Sequence, residues 1–131
     1  MAHSGAQGVV KERMEMMKDI ASQMKALSQM IKGEREFDSD GVREAASVIA
    51  DHARDIPMMF PEGSNEHPSE VADAVWERWS EFVALGELLG TRADALAEAS
   101  ESAGNATDVR PGFTEIGKTC LSCHQDFRVG G

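Results

Sequence analysis

Apolar side chains recur at alternating steps of three and four residues along four stretches of this chain. This spacing places them on one face of an α-helix, because the helix has 3.6 residues per turn. The four predicted helices cover residues 7–32, 40–56, 70–102 and 110–128. Each apolar face has to be buried against another, so the pattern predicts an all-α fold, an antiparallel up-down-up-down four-helix bundle. We expect residues 1–131 to form one such domain.

Residues that begin and end helices lie between these stretches. Gly33 ends the first predicted helix, residues 38–40 supply three N-cap candidates for the second, and Pro57 closes it. Three of the four prolines fall within residues 57–69, which predicts one long irregular connection. Pro111 suits the first turn of the fourth helix.

The composition agrees with a helical protein and excludes two kinds of partner. Aromatic residues make up 5% of the chain, whereas Ala, Met, Leu and Glu, which favour helices, are abundant. The formal net charge of −10 argues against nucleic acid or an anionic membrane surface as the main partner, since both require a basic surface. No stretch approaches the roughly 20 apolar residues of a membrane-spanning helix, so no span is expected.

The only two cysteines stand in the sequence Cys120-Leu121-Ser122-Cys123-His124, a C-x-x-C-H motif. Residues three apart on a helix share a face, so both thiols can add to the two vinyl groups of one haem. His124 can then reach the iron from the same side. The motif therefore predicts one covalently attached haem c, bound by Cys120 and Cys123, with His124 as the proximal iron ligand.

Two other interpretations of the cysteine pair stay open on the sequence. A zinc site needs four ligands, and the chain has no second cysteine pair to supply them. A thioredoxin-like dithiol belongs in a βαβ context, which the helical pattern does not predict.

Arg13 occupies a position on the first helix where the pattern requires an apolar side chain. A buried guanidinium without a counter-ion is strongly unfavourable. Either Arg13 lies at the rim and pairs with Glu12 or Glu15, or its fork of donors binds a haem propionate. Met17 lies one helical turn later, so it is either a core residue or the distal iron ligand opposite His124.

Together these residues resemble the class II c-type cytochromes, which include cytochrome c prime and its low-spin, methionine-ligated relatives. Arg13 and Met17 resemble the propionate-binding arginine and the distal haem residue of that family, and Arg128 resembles the basic residue beside the proximal imidazole. Further matching motifs are Phe60-Pro61-Glu62-Gly63, the pair Trp76 and Phe82, and Ile116-Gly117. The haem motif near the C-terminus is the specific part, since most other small c-type cytochromes carry it near the N-terminus.

The resemblance implies a haem held between the helices, with Arg128, Phe82 and Phe60 in its pocket. It implies export before haem attachment, and therefore a periplasmic location with an export signal that precedes these residues. It also implies a redox partner protein and, in many members, a homodimer packed through the first two helices.

The family divides at the distal position, and this division separates two functions. Methionine gives six-coordinate iron suited to one-electron transfer, whereas a residue that does not bind iron leaves it five-coordinate and open to nitric oxide or carbon monoxide. Met17 favours the electron carrier. An enzyme is not expected, because no acid–base pair or nucleophile accompanies the haem motif. His3, His52 and His67 are expected to be solvent-exposed or structural.

Overall fold

Four long helices form most of the protein and contact one another in a ring. The computed structural model describes residues 8–66 and 68–129. Its helices are α1 (Gly8–Ile31), α2 (Ser39–Asp55), α3 (Ala74–Glu77), α4 (Trp79–Ser100) and α5 (Ala106–Phe127), and a 3₁₀ turn at Ile56–Met58 follows α2. α1 contacts α2 and α5, and α4 contacts the same two helices, most extensively α2. The described part of the chain contains no β-strand, and the predicted four-helix bundle is confirmed.

The core lies between these helices and is apolar. Leu27, Ile49, Leu96 and Ile116, one from each long helix, are at most 1% exposed. Each long helix therefore buries one face, as its sequence period requires. Among the described helices, none is both long and apolar enough to cross a membrane.

The steps of three and four residues predict an apolar stripe on α1 through positions 10, 13, 17, 20, 24, 27 and 31. The buried face of α1 is centred slightly away from this stripe. Met16 and Met30 are 4% and 3% exposed, whereas Met17 and Ile31, which belong to the stripe, are half-buried. The apolar face of a globular helix is at least about 100° wide, so neighbouring positions share it to different extents. Met16 and Met17 consequently have different surroundings.

The ends of the first two helices follow the sequence signals. α1 ends before Gly33, which has a φ of +80° and so adopts the left-handed conformation typical of a helix C-terminus. Asp38 is the N-cap of α2, and its carboxylate accepts a hydrogen bond from the Asp40 amide at 3.1 Å. Both helices match their predicted bounds to within one residue, apart from position 7, which lies outside the described residues.

The prediction of one continuous third helix over residues 70–102 is wrong. Helical structure begins at Ala74 and breaks at Arg78, whose φ of −125° and ψ of 46° are not helical. It resumes in α4 and ends at Ser100. The apolar period continues through the break, so the period alone could not reveal it.

Residues 70–72 are extended and pair with residues 127–129 at the end of α5. The pairing consists of an antiparallel bridge between Val71 and Arg128, a hydrogen bond from the Ala72 amide to the Phe127 carbonyl at 3.0 Å, and one from the Val129 amide to the Glu70 carbonyl at 2.6 Å. These bonds satisfy backbone groups that a helix would have satisfied internally. Tertiary pairing has therefore overridden the local helical pattern.

The fourth helix begins earlier than the predicted residue 110. α5 starts at Ala106, after the N-cap Asn105, whose side chain accepts a hydrogen bond from the Asp108 amide at 3.2 Å. Pro111 thus lies in the second turn rather than the first, where its missing N–H removes one backbone hydrogen bond. The N-cap determines where this helix starts.

Asn105→Ala should destabilise the protein by about 1 kcal/mol, because the Asp108 amide loses its capping acceptor. Asn105→Ser keeps a side-chain oxygen at the N-cap and should remain within about 0.5 kcal/mol of the unchanged protein. Urea unfolding of the three proteins measures both differences. Equal destabilisation by the two substitutions would contradict the capping role.

Candidate haem site

A cavity of about 500 Å³ lies between α1, α4, α5 and the loop that connects α2 to α3. Its walls contain seven of the eight side chains predicted for the haem site: Arg13, Met17, Phe60, Phe82, Cys123, His124 and Arg128. The eighth, Cys120, is half-buried and packs against the core. The fold therefore brings together residues that are far apart in the sequence, around a volume within the roughly 300–1,000 Å³ of ligand pockets.

Cys120, Cys123 and His124 lie in the last turns of α5, and all three are half-buried. Burial raises the pKa of both thiols, that of Cys123 to about 11 with smaller contributions from the charges of Cys120 and Asp126. Burial, followed by the charge of Arg128, lowers the pKa of His124. Both causes favour the neutral imidazole, which keeps a nitrogen lone pair that can bind iron.

The described residues give no support to the zinc and dithiol interpretations of the cysteine pair. Within residues 8–66 and 68–129, no group of three or more His, Cys, Asp or Glu side chains could hold a metal ion. The cysteines lie on a helix of an all-α protein, not in the βαβ unit of a thioredoxin-like dithiol. Their raised pKa values also disfavour the reactive thiolate.

Arg13 is only 3% exposed and is held by the loop between α2 and α3. Its acceptors are the Met59 carbonyl at 3.2 Å, the Ser64 carbonyl, the Ser64 hydroxyl at 2.7 Å and the Ser69 hydroxyl at 2.9 Å. The guanidinium carbon also lies 4.7 Å from the ring centroid of Phe60. The interpretation that Arg13 lies at the rim and pairs with Glu12 or Glu15 is therefore wrong.

The same contacts limit how Arg13 can meet a propionate. A guanidinium has four terminal N–H groups and one Nε–H, and among the described residues the terminal groups make four hydrogen bonds to the loop. Burial lowers the pKa of Arg13, and the charge of Glu66 opposes that shift. An arginine nevertheless stays charged at neutral pH. Arg13 can therefore offer a carboxylate its Nε–H, or exchange one of its loop acceptors for it.

Met17 is the methionine of α1 that combines partial burial with access to the cavity. Its neighbour Met16 is 4% exposed and packs in the core instead. Met14 also lines the cavity but is 38% exposed. Successive residues on a helix are rotated by about 100°, which explains why adjacent methionines face different surroundings.

Three phenylalanines form an aromatic wall of the cavity. The Phe82 ring centroid lies 4.8 Å from that of Phe60 and 5.3 Å from that of Phe127, both in edge-to-face contact. The Trp76 indole N–H donates to the Phe60 carbonyl at 2.9 Å and so fixes the loop that carries Phe60. The two aromatic motifs noted in the sequence are thus in direct contact.

Arg128 follows the end of α5 and has extended backbone angles, with φ of −119° and ψ of 135°. Its guanidinium donates to the Glu70 carboxylate, from Nε at 3.0 Å and from a terminal nitrogen at 2.5 Å. The cation therefore lies in the cavity wall together with an anionic partner.

Sequence reasoning missed four residues that complete the site: Ser64, Ser69, Glu70 and Phe127. Phe127 lies on the predicted apolar stripe of the fourth helix, and its position one turn beyond Cys123 could have identified it. The two serines and Glu70 carry no comparable signal. They reach Arg13 and Arg128 only after the loop folds across the bundle.

The other three histidines were not predicted to belong to the haem site. His52 Nε2 lies 2.8 Å from the Asp19 carboxylate and links α2 to α1, which is a structural contact. His3 and His67 lie outside the described residues.

The chemistry of the cavity fits a haem. Its aromatic and aliphatic walls suit a flat apolar macrocycle, and the Arg13 guanidinium is present for a propionate. The C-x-x-C-H motif lies on the α5 side of the same volume. Apolar walls with a few converging polar groups are typical of cofactor sites.

Comparison with known proteins identifies the family. The family model described as Cytochrome C' matches residues 8–128. The chain belongs to the cytochrome c′ family. Members of this family carry covalently attached haem c, which is the cofactor predicted from the motif.

Three individual cytochromes are similar to this chain in sequence or in structure. Cytochrome c-556 from Agrobacterium fabrum (strain C58 / ATCC 33970) is 39% identical over 126 residues, which cover 95% of this chain and 83% of the relative. Cytochrome c′ from Pararhodospirillum photometricum is 31% identical over 120 residues, which cover 91% and 94%. The solved cytochrome c′ from Rhodopseudomonas palustris has a TM-score of 0.86 at 26% identity, covering 95% and 98%. The relatives include proteins named cytochrome c-556 and proteins named cytochrome c′. These names do not decide whether the iron is five- or six-coordinate, so its coordination has to be argued from the site.

Arg13→Met should destabilise the cytochrome by about 2–4 kcal/mol, because buried acceptors in the loop lose their donors. Arg13→Lys should recover only part of that loss, since one ammonium cannot span the same acceptors. Urea unfolding of the holoproteins measures the difference.

The neighbouring Glu12→Gln provides the control for the arginine substitutions. Glu12 is exposed, so its substitution should change the free energy of unfolding by less than about 0.5 kcal/mol. An Arg13→Met protein as stable as this control would show that the loop does not depend on the guanidinium.

Proposed function

We propose that the protein is a periplasmic one-electron carrier, not an enzyme, in which one haem c is bound through Cys120 and Cys123. His124 is the proximal iron ligand and Met17 the distal one. The observation that carries this proposal is that Met17 on α1 and His124 on α5 line the same cavity. When bound, the haem supplies the exchange of one electron between ferric and ferrous iron.

Cys120 and Cys123 would hold the haem through two thioether bonds. Addition of a thiol across a vinyl group would form each bond, with the hydrogen passing to the other vinyl carbon, so no oxidant or reductant would be consumed. Cys120 and Cys123 are three residues apart on α5 and lie on one face, which lets both act on the same macrocycle. His124 follows directly, and burial lowers its pKa, which favours the neutral imidazole.

Met17 supports the carrier function through the chemistry of its sulfur. A thioether opposite an imidazole binds ferrous iron well and raises the reduction potential. Two protein ligands that stay bound in both oxidation states also keep the rearrangement on electron transfer small. Half-burial of Met17 at the cavity wall fits this role better than the core position of Met16.

The remaining predicted residues bind the periphery of the haem. Arg13 offers one propionate its Nε–H or a donor released from the loop, and its charge is held in place by the loop hydrogen bonds. Phe60 and Phe82 exclude water from the macrocycle. Arg128 supplies a second positive charge on the side of His124.

A five-coordinate protein that binds nitric oxide or carbon monoxide is the second candidate function. It is favoured by one observation, that Met14, Lys18 and Ala21 line the cavity beside Met17, so this wall is not formed by Met17 alone. In this case Met17 is a wall residue or a ligand that a gas molecule displaces.

The partner of the proposed carrier is a redox protein, and the family resemblance also suggests a homodimer through α1 and α2. A cytochrome c′ of known structure, 20% identical to this chain, is described as having a ligand-controlled dimer dissociation. Sedimentation of the holoprotein should give the mass of two chains if this chain dimerises, and a monomer at all concentrations would contradict the dimer.

Met17→Leu should convert the low-spin spectrum of the holoprotein into a high-spin one, because leucine cannot bind iron. The band that methionine-to-ferric-iron charge transfer produces should disappear, and carbon monoxide should bind readily to the reduced protein. Absorption spectra of both oxidation states measure this change.

Met16→Leu is the matched control, since Met16 is the neighbour of Met17 but is buried in the core. This substitution removes a methionine sulfur that does not line the cavity. It should leave the spectrum unchanged. A high-spin spectrum in the unsubstituted protein would favour the gas-binding candidate. A low-spin spectrum that survives Met17→Leu would assign the distal ligand to another residue.

Replacing the cysteines tests the covalent attachment. Cys120→Ser and Cys123→Ser should each leave one thioether, and the double substitution should leave none, so that acid–acetone extraction removes all haem. Haem staining of denaturing gels measures the covalently retained fraction. Retention of haem by the doubly substituted chain would refute the assigned attachment sites.

A further inference from the structure

Glu70 lies in the cavity wall but has no part in the proposed function. It belongs to the loop before α3, and its Oε1 accepts two hydrogen bonds from Arg128, at 3.0 Å from Nε and 2.5 Å from a terminal nitrogen. Both residues line the cavity that contains His124. Arg128 follows His124 by only four residues, at the end of the helix that carries the imidazole, so the pair lies at the α5 side of the proposed haem site.

The backbone brings Glu70 and Arg128 together. Arg128 is one residue beyond α5 and has extended backbone angles, so the helix does not determine where its side chain points. Its backbone instead pairs with Val71, and the Val129 amide donates to the Glu70 carbonyl. These bonds hold the two side chains next to each other, and the Glu70 carboxylate then holds the guanidinium.

The pair contributes little to stability, since its side chains are 47% and 63% exposed. Its main effect is to fix the position of the positively charged Arg128 guanidinium. Without a partner, an exposed arginine side chain samples many rotamers in solvent. With Glu70 bound, the guanidinium is held in the wall of the cavity that His124 also lines.

We infer that Glu70 is a positioning residue, which holds the Arg128 guanidinium beside His124 and thereby helps to set the reduction potential of the haem. The inference rests on the proposed function, because it requires His124 to be the axial ligand. A fixed positive charge near the iron favours the reduced state, which carries one positive charge less. Arg128 therefore raises the potential, and does so fully only while Glu70 holds it.

A double-mutant cycle separates this role from a simple charge effect. If Glu70 acts only through its own negative charge, the shifts in potential caused by Glu70→Gln and Arg128→Gln should add in the double variant. If Glu70 positions Arg128, the effect of Arg128→Gln should shrink when Glu70 is absent. The measurement is the midpoint potential of four holoproteins at one pH and salt concentration.

The expected result is non-additive. Arg128→Gln should lower the reduced-to-oxidised equilibrium constant by roughly threefold to tenfold when Glu70 is present, as expected for a partly screened charge close to the iron. In the Glu70→Gln background the same substitution should change that constant by less than about twofold. In the ferric protein, Glu70→Gln should also move the proton NMR resonances of the His124 ring.

Arg78→Gln is the matched control. Arg78 is also a half-exposed arginine near the end of α5, but it pairs with Glu81 and Asp126 rather than with Glu70. Its effect on the potential should be the same with Glu70 and with Gln at position 70. A non-additive result for this control as well would overturn the specific link between Glu70 and Arg128.

Two kinds of failure are distinguishable in this experiment. If the unsubstituted holoprotein lacks thioether-bound haem with His124 as ligand, its absorption spectrum and haem staining show this before any potential is measured, and both proposals fail. If these properties are intact and the Glu70 and Arg128 shifts simply add, only the positioning role is overturned.

Discussion

The burial of the Arg13 guanidinium is the interaction on which the cavity depends. A cation on the inner face of a helix is unfavourable unless its donors are satisfied, and here the loop between α2 and α3 satisfies them. Ser64 accepts through both its carbonyl and its hydroxyl, and Ser69 through its hydroxyl. A connection with little regular secondary structure thereby acquires a defined shape and becomes one wall of the site.

The same loop joins the two sides of the proposed haem site. Ser69 accepts a hydrogen bond from Arg13 on α1 and another from the Val71 amide at 3.1 Å. Val71 in turn pairs with Arg128 at the end of α5. The loop is therefore held on one side by the Arg13 guanidinium and on the other by backbone hydrogen bonds to the end of α5.

Local properties of the sequence were sufficient to predict the four long helices and the haem motif. The helical period, the cap at Asp38 and the C-x-x-C-H spacing all act over a few residues, so they are visible without a structure. The extended residues 70–72 were not predictable in this way, because they pair with the end of α5, more than fifty residues further along the chain. The break at Arg78 was not predictable either, because the apolar period continues through it.

The predicted role of Arg13 shows the same limit at the level of one side chain. Its position on the apolar stripe marked it as an unusual cation but left a rim position open, and the structure shows that it is buried. Its loop acceptors, however, are 46 to 56 residues away in sequence, and no local pattern marks them. A sequence can thus identify which residue needs a partner more easily than it can name the partner.

The adjacency of Met16 and Met17 has a consequence for substitutions at the two positions. Met16 is buried in the core, whereas Met17 lines the cavity and also packs against that core. A substitution at position 16 therefore changes the packing of the bundle alone. A substitution at position 17 changes the cavity wall and the packing of α1 at the same time.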